Sequence, residues 1–496
     1  MTETMRLRDM LENIDGITLR GDAEVPVLGV AYDSRRVRTG DLFVAIKGNK
    51  EDGARFIREA IGRGAVAVAG ERKVPDGTAV PMLLVPDARR FVAEAARLLM
   101  HDPASRMQLV AVTGTNGKTT ICWLMDAIFR QAGLHACLAG TLGMKIGGRL
   151  EPGAHTTPEA VELVAFLARA LDAECTHGVM EVSSHALAFK RAWGTRFSTA
   201  VFTNLTPEHL DFHADMESYY QAKRLLFAHE GGHRLQSSVI NVDDPYGRRL
   251  AGDADGKIWR YGWDEEAEIR PLRTSARIDG SEISLAIPGG RLDIRTRLAG
   301  RPNIYNIMAA AGAALSLGIG PDAIRAGIES LSGVPGRMEF VDAGQDFTVI
   351  VDYAHTPDAL EKLLENVKAL TPGRRITVFG CGGDRDRTKR PRMGEIASRL
   401  SAFVIATSDN PRTEDPLRIL QEIEPGLKQG PAPYRLQPDR RAAIREALEM
   451  ARPGDVVLLA GKGHENVQII GNQALPFEDR GIARELLLQL KRAQGD

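Results

Sequence analysis

Apolar residues recur along this chain with two periods, and each period predicts a different element. Short apolar runs of strand length lie at Val27–Ala31, Leu42–Ile46, Ala65–Ala69 and Met82–Val85, and a helical pattern follows over Arg89–Met100. A further strand ends at Thr113; Ile121, Leu124, Met125, Ile128 and Phe129 then recur at helical spacing. Strands are expected at Gly178–Glu181, Thr199–Thr203 and Ser238–Asn241, with helices at Glu159–Leu171 and Ser218–Ala228. Residues 255–300 turn to short alternating runs, and a helix over Ile307–Leu317 follows Asn303. Strands at Thr348–Val351, Ile376–Gly380, Phe403–Ala406 and Val456–Ala460 alternate with helical patterns. Strand alternating with helix implies mostly parallel sheets covered on both faces, with ligands at the carboxyl ends of the strands. Three blocks result, 1–104, 105–334 and 335–496, with His101-Asp102-Pro103 as the first linker.

Composition narrows the class without naming the chemistry. A chain of 496 residues, 43% apolar and 26% charged, has the make-up of an ordinary globular protein of several domains. Its formal charge of −1 gives no electrostatic case for nucleic acid or an anionic membrane. No apolar run reaches membrane-spanning length, and the first residues show no signal-peptide pattern. The four cysteines (Cys122, Cys137, Cys175, Cys381) form no C-x-x-C pair, which argues against a disulfide framework or zinc. The expectation is a cytoplasmic monomer.

The motifs after the predicted strands carry the chemistry. Gly114-Thr115-Asn116-Gly117-Lys118-Thr119-Thr120 joins a strand to a helix. Such a turn aims backbone N–H groups at phosphates, its lysine reaches the outer phosphates, and a threonine hydroxyl binds Mg²⁺. Only two residues separate the glycines, against four in the general phosphate loop, and an ordinary turn with an exposed lysine is the plain alternative. Glu181 suits Mg²⁺, or belongs to an N-cap cluster with Ser183 and Ser184. Asn204–His213 packs Glu208, His209, Asp211 and His213 together, for metal or as a polar turn. Lys223 sits mid-helix, where spacing alone reads a solvated residue. Asp352 suits a ribose hydroxyl. The glycines and cations of 380–392 suit an anion, and the acceptor, amide and guanidinium of Asp409-Asn410-Pro411-Arg412 suit a zwitterion.

In this order and company, the motifs resemble the Mur ligase family, ATP-dependent amide-forming enzymes of peptidoglycan synthesis. The resemblance runs through Asp33–Arg35, Gly40–Ala45, residues 114–120, Thr156–Glu159, Glu181–Leu187, Asn204–His213, Lys223, Arg301–Asn306, Pro335–Glu339, Asp352–Pro357, residues 380–386, Asp409–Arg412 and Ala460–Glu465. It implies an α/β protein of three domains: a smaller N-terminal α/β domain (1–104) for a UDP-sugar, a central P-loop-type mononucleotide-binding domain with a mostly parallel sheet (105–334) for ATP, and a C-terminal Rossmann-like α/β domain (335–496) for an amino acid.

The resemblance also implies roles for residues. Residues 114–120 would hold the ATP phosphates, with Asn303 and Asn306 near adenine and Arg337 and Asp352 near the ribose. Thr119, Glu181, His209 and Lys223, the last as a carbamate, would hold two Mg²⁺ ions; Lys118, Glu181, His209 and Lys223 would be the catalytic set. Tyr32, Ser34, Asn49, Lys50 and Glu51 would hold the uridine end of UDP-N-acetylmuramoyl-L-alanyl-D-glutamate. His155, Thr156, Thr157, Ser183, Phe189 and Arg191 would hold its sugar-dipeptide. Relatives carry glutamine where this chain has Phe189, and His155 and Tyr32 also depart. Arg412 would grip the distal carboxylate of meso-2,6-diaminopimelate, Glu465 its distal ammonium, and Arg385, Asp409, Asn410, Pro411 and Gly461 would complete the site. A lysine-adding ligase, a folylpolyglutamate synthase-like enzyme and a non-catalytic nucleotide-dependent scaffold remain as alternatives.

Overall fold

A computed structural model describes residues 5–48, 51–72, 79–210, 212–228, 232 and 234–495. Its centre is an eight-stranded sheet in the order Arg149–Glu151, Gly143–Ile146, Ala136–Gly140, His177–Glu181, Gln108–Thr113, Thr199–Phe202, Ser237–Asn241, Lys257–Tyr261. The last six run parallel, and an antiparallel hairpin closes one edge. The interior strands are buried on both faces and read as the unbroken apolar runs expected of a covered parallel sheet.

Helix Lys118–Gln131 follows the middle strand and packs on Pro321–Ser330 and Arg301–Ser316. Gly327 permits one of these contacts, since a Cβ there would stand 2.4 Å from the Ile128 Cα. Helix Arg301–Ser316 starts earlier than the sequence pattern places it, because Pro302 is tolerated in a first turn, where its missing N–H has no intrahelical partner to lose. Its missed first turns, Arg301–Asn306, are exposed or half-buried apart from Ile304, so no apolar stripe marked the true start. The alternating run after 255 becomes the three-stranded antiparallel sheet Arg270–Arg277, Gly280–Ile287, Gly290–Thr296.

Before this block lies a five-stranded sheet, Thr18–Arg20, Met82–Leu84, Ala67–Gly70, Asp41–Ala45, Gly29–Ala31. The single strand expected over Val27–Ala31 is split at Leu28, whose side chain is exposed. After it lies a six-stranded sheet, Glu339–Phe340, Thr348–Asp352, Val456–Ala460, Arg375–Phe379, Phe403–Thr407, Tyr434–Gln437, parallel except at its first strand.

One ion pair ties the last helix to this third sheet. Arg440, at the start of helix Arg440–Met450, donates to Asp479 at 2.8 and 2.6 Å and to the carbonyls of Ser408 (3.4 Å) and Ala460 (3.1 Å). Both side chains are fully buried, so either one alone would be an uncompensated charge. Arg440→Ala is expected to destabilise the third block by about 3–5 kcal/mol, read as a lowered urea midpoint. Replacing both partners by apolar residues is expected to restore much of it.

Candidate active site

The parallel register of the central sheet decides which residues meet. Glu181 lies opposite Val112, and Phe202 opposite Thr113, so three neighbouring strands end at one level. The turn after Thr113 needs its glycines: Gly114 has φ 142°, and a Cβ on it would stand 1.8 Å from the Thr203 hydroxyl. Thr203 and Asn204 clamp the loop from the next strand. The Thr203 hydroxyl donates to the Asn116 carbonyl (2.6 Å), and the Asn116 N–H donates to Asn204 Oδ1 (3.0 Å). Helix Lys118–Gln131 therefore begins at the lysine, with its free N–H groups facing the cleft.

Two lysine amines converge behind this loop. Lys118 Nζ donates to the Gly114 and Thr115 carbonyls at 2.9 and 2.8 Å, and Lys223 Nζ donates to the same Gly114 carbonyl at 3.0 Å. Lys223 is 1% exposed and lies over the Tyr219 ring. Burial, and then the Lys118 charge, push its amine well below the ordinary lysine range. This corrects the solvated mid-helix reading: Met216–Arg224 ends one residue after Lys223, and the lysine is in its buried last turn.

Glu181 is 1% exposed and accepts from the Thr141 N–H (2.8 Å) and Thr141 hydroxyl (3.1 Å). It has no ion pair among the described residues. Buried carboxylates are paired or bind metals, so Glu181, with the Thr119 hydroxyl and the His209 imidazole on the same cavity, suits a hard divalent cation. The cavity holds about 350 Å³, and Lys118, Thr119, Glu181, His209, Asn303, Asn306, Arg337 and Asp352 line it. Lys223 does not; its amine is turned behind the loop. Arg337 reaches Thr119 Oγ1 at 3.4 Å from the third block and lies over the Tyr353 ring. Asp352 accepts from the Met338 and Ala354 N–H groups at 2.7 and 2.8 Å.

A second group lies between the first sheet and the central block. Thr157 Oγ1 donates to the Glu181 carbonyl (2.9 Å) and accepts from the Ser183 N–H (3.0 Å), joining this group to the metal-suited carboxylate. Arg191 pairs with Glu159 at 2.6 Å, and the Tyr32 hydroxyl donates to Glu162 at 3.1 Å. Thr156 accepts from the Thr141 hydroxyl (3.1 Å), Ser34 donates to Glu59 (3.1 Å), and His155 and Glu51 are exposed. Asn49, Lys50 and Asp211 fall outside the described residues.

The third group sits at the ends of strands Arg375–Phe379, Phe403–Thr407 and Val456–Ala460. Asn410 Nδ2 donates to Glu465 (2.7 Å), and fully buried Lys462 donates to Asn410 Oδ1 and Glu465, each at 3.1 Å. The Arg412 guanidinium donates to the Gly383 carbonyl at 2.7 Å, and a Cβ on Gly382 would stand 2.9 Å from it. Arg385 is exposed beside it, donating to the Asp384 carbonyl (3.1 Å). Asp409 is buried, its carbonyl accepting from Gln468 (2.9 Å); a Cβ on Gly461 would stand 2.7 Å from its carboxylate.

Sequence reasoning missed Thr141, and it gave Asn204 and Lys462 no role of their own although both lie inside motifs it singled out, Asn204–His213 and Ala460–Glu465.

Comparison with known proteins converges on one family. The Mur ligase middle domain matches residues 112–314, the Mur ligase glutamate ligase domain residues 336–463, and the Mur ligase family catalytic domain residues 26–99. The UDP-N-acetylmuramoyl-L-alanyl-D-glutamate–2,6-diaminopimelate ligase of Solibacter usitatus (strain Ellin6076) is 46% identical over 94% of each chain. That of Gloeobacter violaceus (strain ATCC 29082 / PCC 7421) is 47% identical over 99% of each. A solved structure of a ligase with the same name is 33% identical, covers 98% of this chain and 99% of its own, and superposes with a TM-score of 0.71. With an α/β architecture built on three main, mostly parallel sheets and matches of this length and identity, the chain belongs to the Mur ligase family.

Proposed function

We propose that this chain joins the amine of meso-2,6-diaminopimelate to the D-glutamate of UDP-N-acetylmuramoyl-L-alanyl-D-glutamate at the expense of ATP. The product is a peptidoglycan precursor, made in the cytoplasm and serving cell wall biogenesis, shape and division. The observation that carries this reading is the cavity of about 350 Å³ where the phosphate loop, Glu181, Arg337 and Asp352 meet, with Arg412 and Glu465 after the two strands that flank Arg375–Phe379 in the six-stranded sheet. The three blocks, 1–104, 105–334 and 335–496, would supply the UDP-sugar, ATP and amino-acid sites.

The reaction has two steps. A D-glutamate carboxylate oxygen attacks the γ-phosphorus of ATP; the bond to the ADP oxygen breaks and an acyl phosphate forms. The free amine of diaminopimelate then attacks the acyl carbon, and phosphate leaves with the former carboxylate oxygen. Lys118 exchanges its loop carbonyls for phosphate oxygens, and the N–H groups of the helix start bind the same phosphates. Thr119, Glu181, His209 and a Lys223 carbamate would hold two Mg²⁺ ions, which neutralise charge on the phosphoryl oxygens. Lys223 suits that modification because burial disfavours its charged form and only the neutral amine attacks CO₂; its N–C bond forms as a proton leaves, with Lys118 beside the new anion.

Arg412, already held in position by the Gly383 carbonyl, offers a forked guanidinium to the distal carboxylate that lysine lacks. ADP release measured with the UDP-muramoyl dipeptide and a panel of amino acids tests the function. Release is expected with meso-diaminopimelate and not with lysine; a preference for lysine, or for glutamate on a folate, would overturn it.

Lys223→Ala is expected to lower turnover by more than about a hundredfold with an unchanged thermal melt, and added bicarbonate should not rescue it. Arg412→Lys is expected to raise KM for diaminopimelate by about 10- to 100-fold, with KM for ATP within about twofold. Equal rises in both constants would remove Arg412 from the amino-acid site.

A further inference from the structure

The loop after strand Val456–Ala460 buries the side chain of Lys462 completely. An ammonium group has three hydrogens to place and no acceptor. Lys462 places all three: on Asn410 Oδ1 (3.1 Å), on Glu465 Oε2 (3.1 Å) and on the Val467 carbonyl (2.7 Å). No hydrogen is left for a substrate, so Lys462 can act only through its partners. Asn410 is buried too, and its Oδ1 also accepts from the Ile469 N–H (3.0 Å). Lys462 and the Ile469 N–H are donors alone, which fixes the amide. Its oxygen faces them, and Nδ2 is turned onto Glu465 Oε2 at 2.7 Å. That carboxylate oxygen therefore takes two donors from the protein. Glu465 Oε1 has no partner among the described residues, and the side chain is 29% exposed.

A carboxylate held by one oxygen and open at the other is a seat for a cationic N–H donor. Resting on the proposed function, we infer that Lys462 is a positioning residue: it aims the open Glu465 oxygen at the distal ammonium of diaminopimelate, and so sets the selection for an amino acid that carries one. It does this without touching the substrate. With a neutral residue in its place, Glu465 keeps only the Asn410 amide, and a half-exposed side chain held by one bond samples other rotamers. Arg412 is held separately. Its N–H donates to the Ile469 carbonyl (3.0 Å) and its guanidinium to the Gly383 carbonyl (2.7 Å). The grip on the distal carboxylate therefore does not depend on Lys462, and the two ends of the amino acid can be told apart by experiment.

Steady-state ADP release by wild type and Lys462→Met with two amino acids tests this: meso-diaminopimelate, and L-2-aminopimelate, which keeps both carboxylates and lacks the distal amine. Wild type is expected to favour diaminopimelate by about 10- to 100-fold in kcat/KM. Lys462→Met is expected to lose about tenfold of that preference, through a raised KM for diaminopimelate. KM for aminopimelate and for ATP should stay within about twofold, and the retained ATP constant shows the variant folded. An equal loss on both amino acids would make Lys462 a fastener of its loop and overturn the assignment, as would an unchanged preference or a wild type with none. If Lys462→Met does not fold, the double variant Lys462→Met/Glu465→Gln, which leaves neither charge unpaired, is compared with Glu465→Gln alone. The two should match within about twofold on both amino acids, and a further loss in the double variant overturns the inference. Failure of the wild type to release ADP with diaminopimelate at all would strike the proposed function itself.

Discussion

The carboxyl ends of three adjacent parallel strands meet at one level, and every other feature of the site follows from that register. Gln108–Thr113 lies between His177–Glu181 and Thr199–Phe202, so the phosphate loop, the buried Glu181 and the Thr203–Asn204 clamp are neighbours without any long excursion of the chain. A slip of one residue in the pairing of His177–Glu181 with Gln108–Thr113 would turn Glu181 to the opposite face of the sheet. The turn tolerates no side chain at Gly114, because Thr203 fills that space. The same arrangement recurs in the third sheet, where residues 380–385, 408–412 and 460–465 leave three adjacent strand ends. Buried Arg440 ties two of these ends together through the Ser408 and Ala460 carbonyls.

Electrostatics then divides the work. Lys118 and Lys223 share the Gly114 carbonyl, a pairing that cannot comfortably keep both amines charged in a buried setting. Burial, and then the charge on Lys118, disfavour the protonated form of Lys223. Glu181 is the reverse case, a buried carboxylate held by threonine donors and set beside a hydroxyl and an imidazole. The proposed carbamate would turn the first feature into a partner of the second, making an anion from a suppressed cation.

Much of this was legible in the sequence because it is local. The strand-turn-helix at 108–131, the strand at Val456–Ala460 and the helix at Ala160–Asp172 follow from periodicity and glycine placement, nearly to the residue. What was not legible depends on packing between distant segments. Lys223 read as solvated because its own helix is short and polar; its burial comes from the Gly114 loop, 109 residues away. Arg440 and Asp479 are 39 residues apart, and nothing in either neighbourhood signals a pair. Helix Arg301–Ser316 hid its start because the first turns, Arg301–Asn306, bury only Ile304 and show no apolar stripe. The contact of Arg89 with Phe189 joins two blocks and is visible only when both are folded.

The central claim is that ATP is spent here to activate a carboxylate, and an isotope experiment tests it most directly. D-glutamate carrying ¹⁸O in its reacting carboxylate, within the UDP-muramoyl dipeptide, is turned over with ATP and meso-diaminopimelate, and the released phosphate is analysed by mass. The account predicts one ¹⁸O atom in each phosphate, carried from the carboxylate through the acyl phosphate. Unlabelled phosphate, released at the same rate without diaminopimelate, would contradict it.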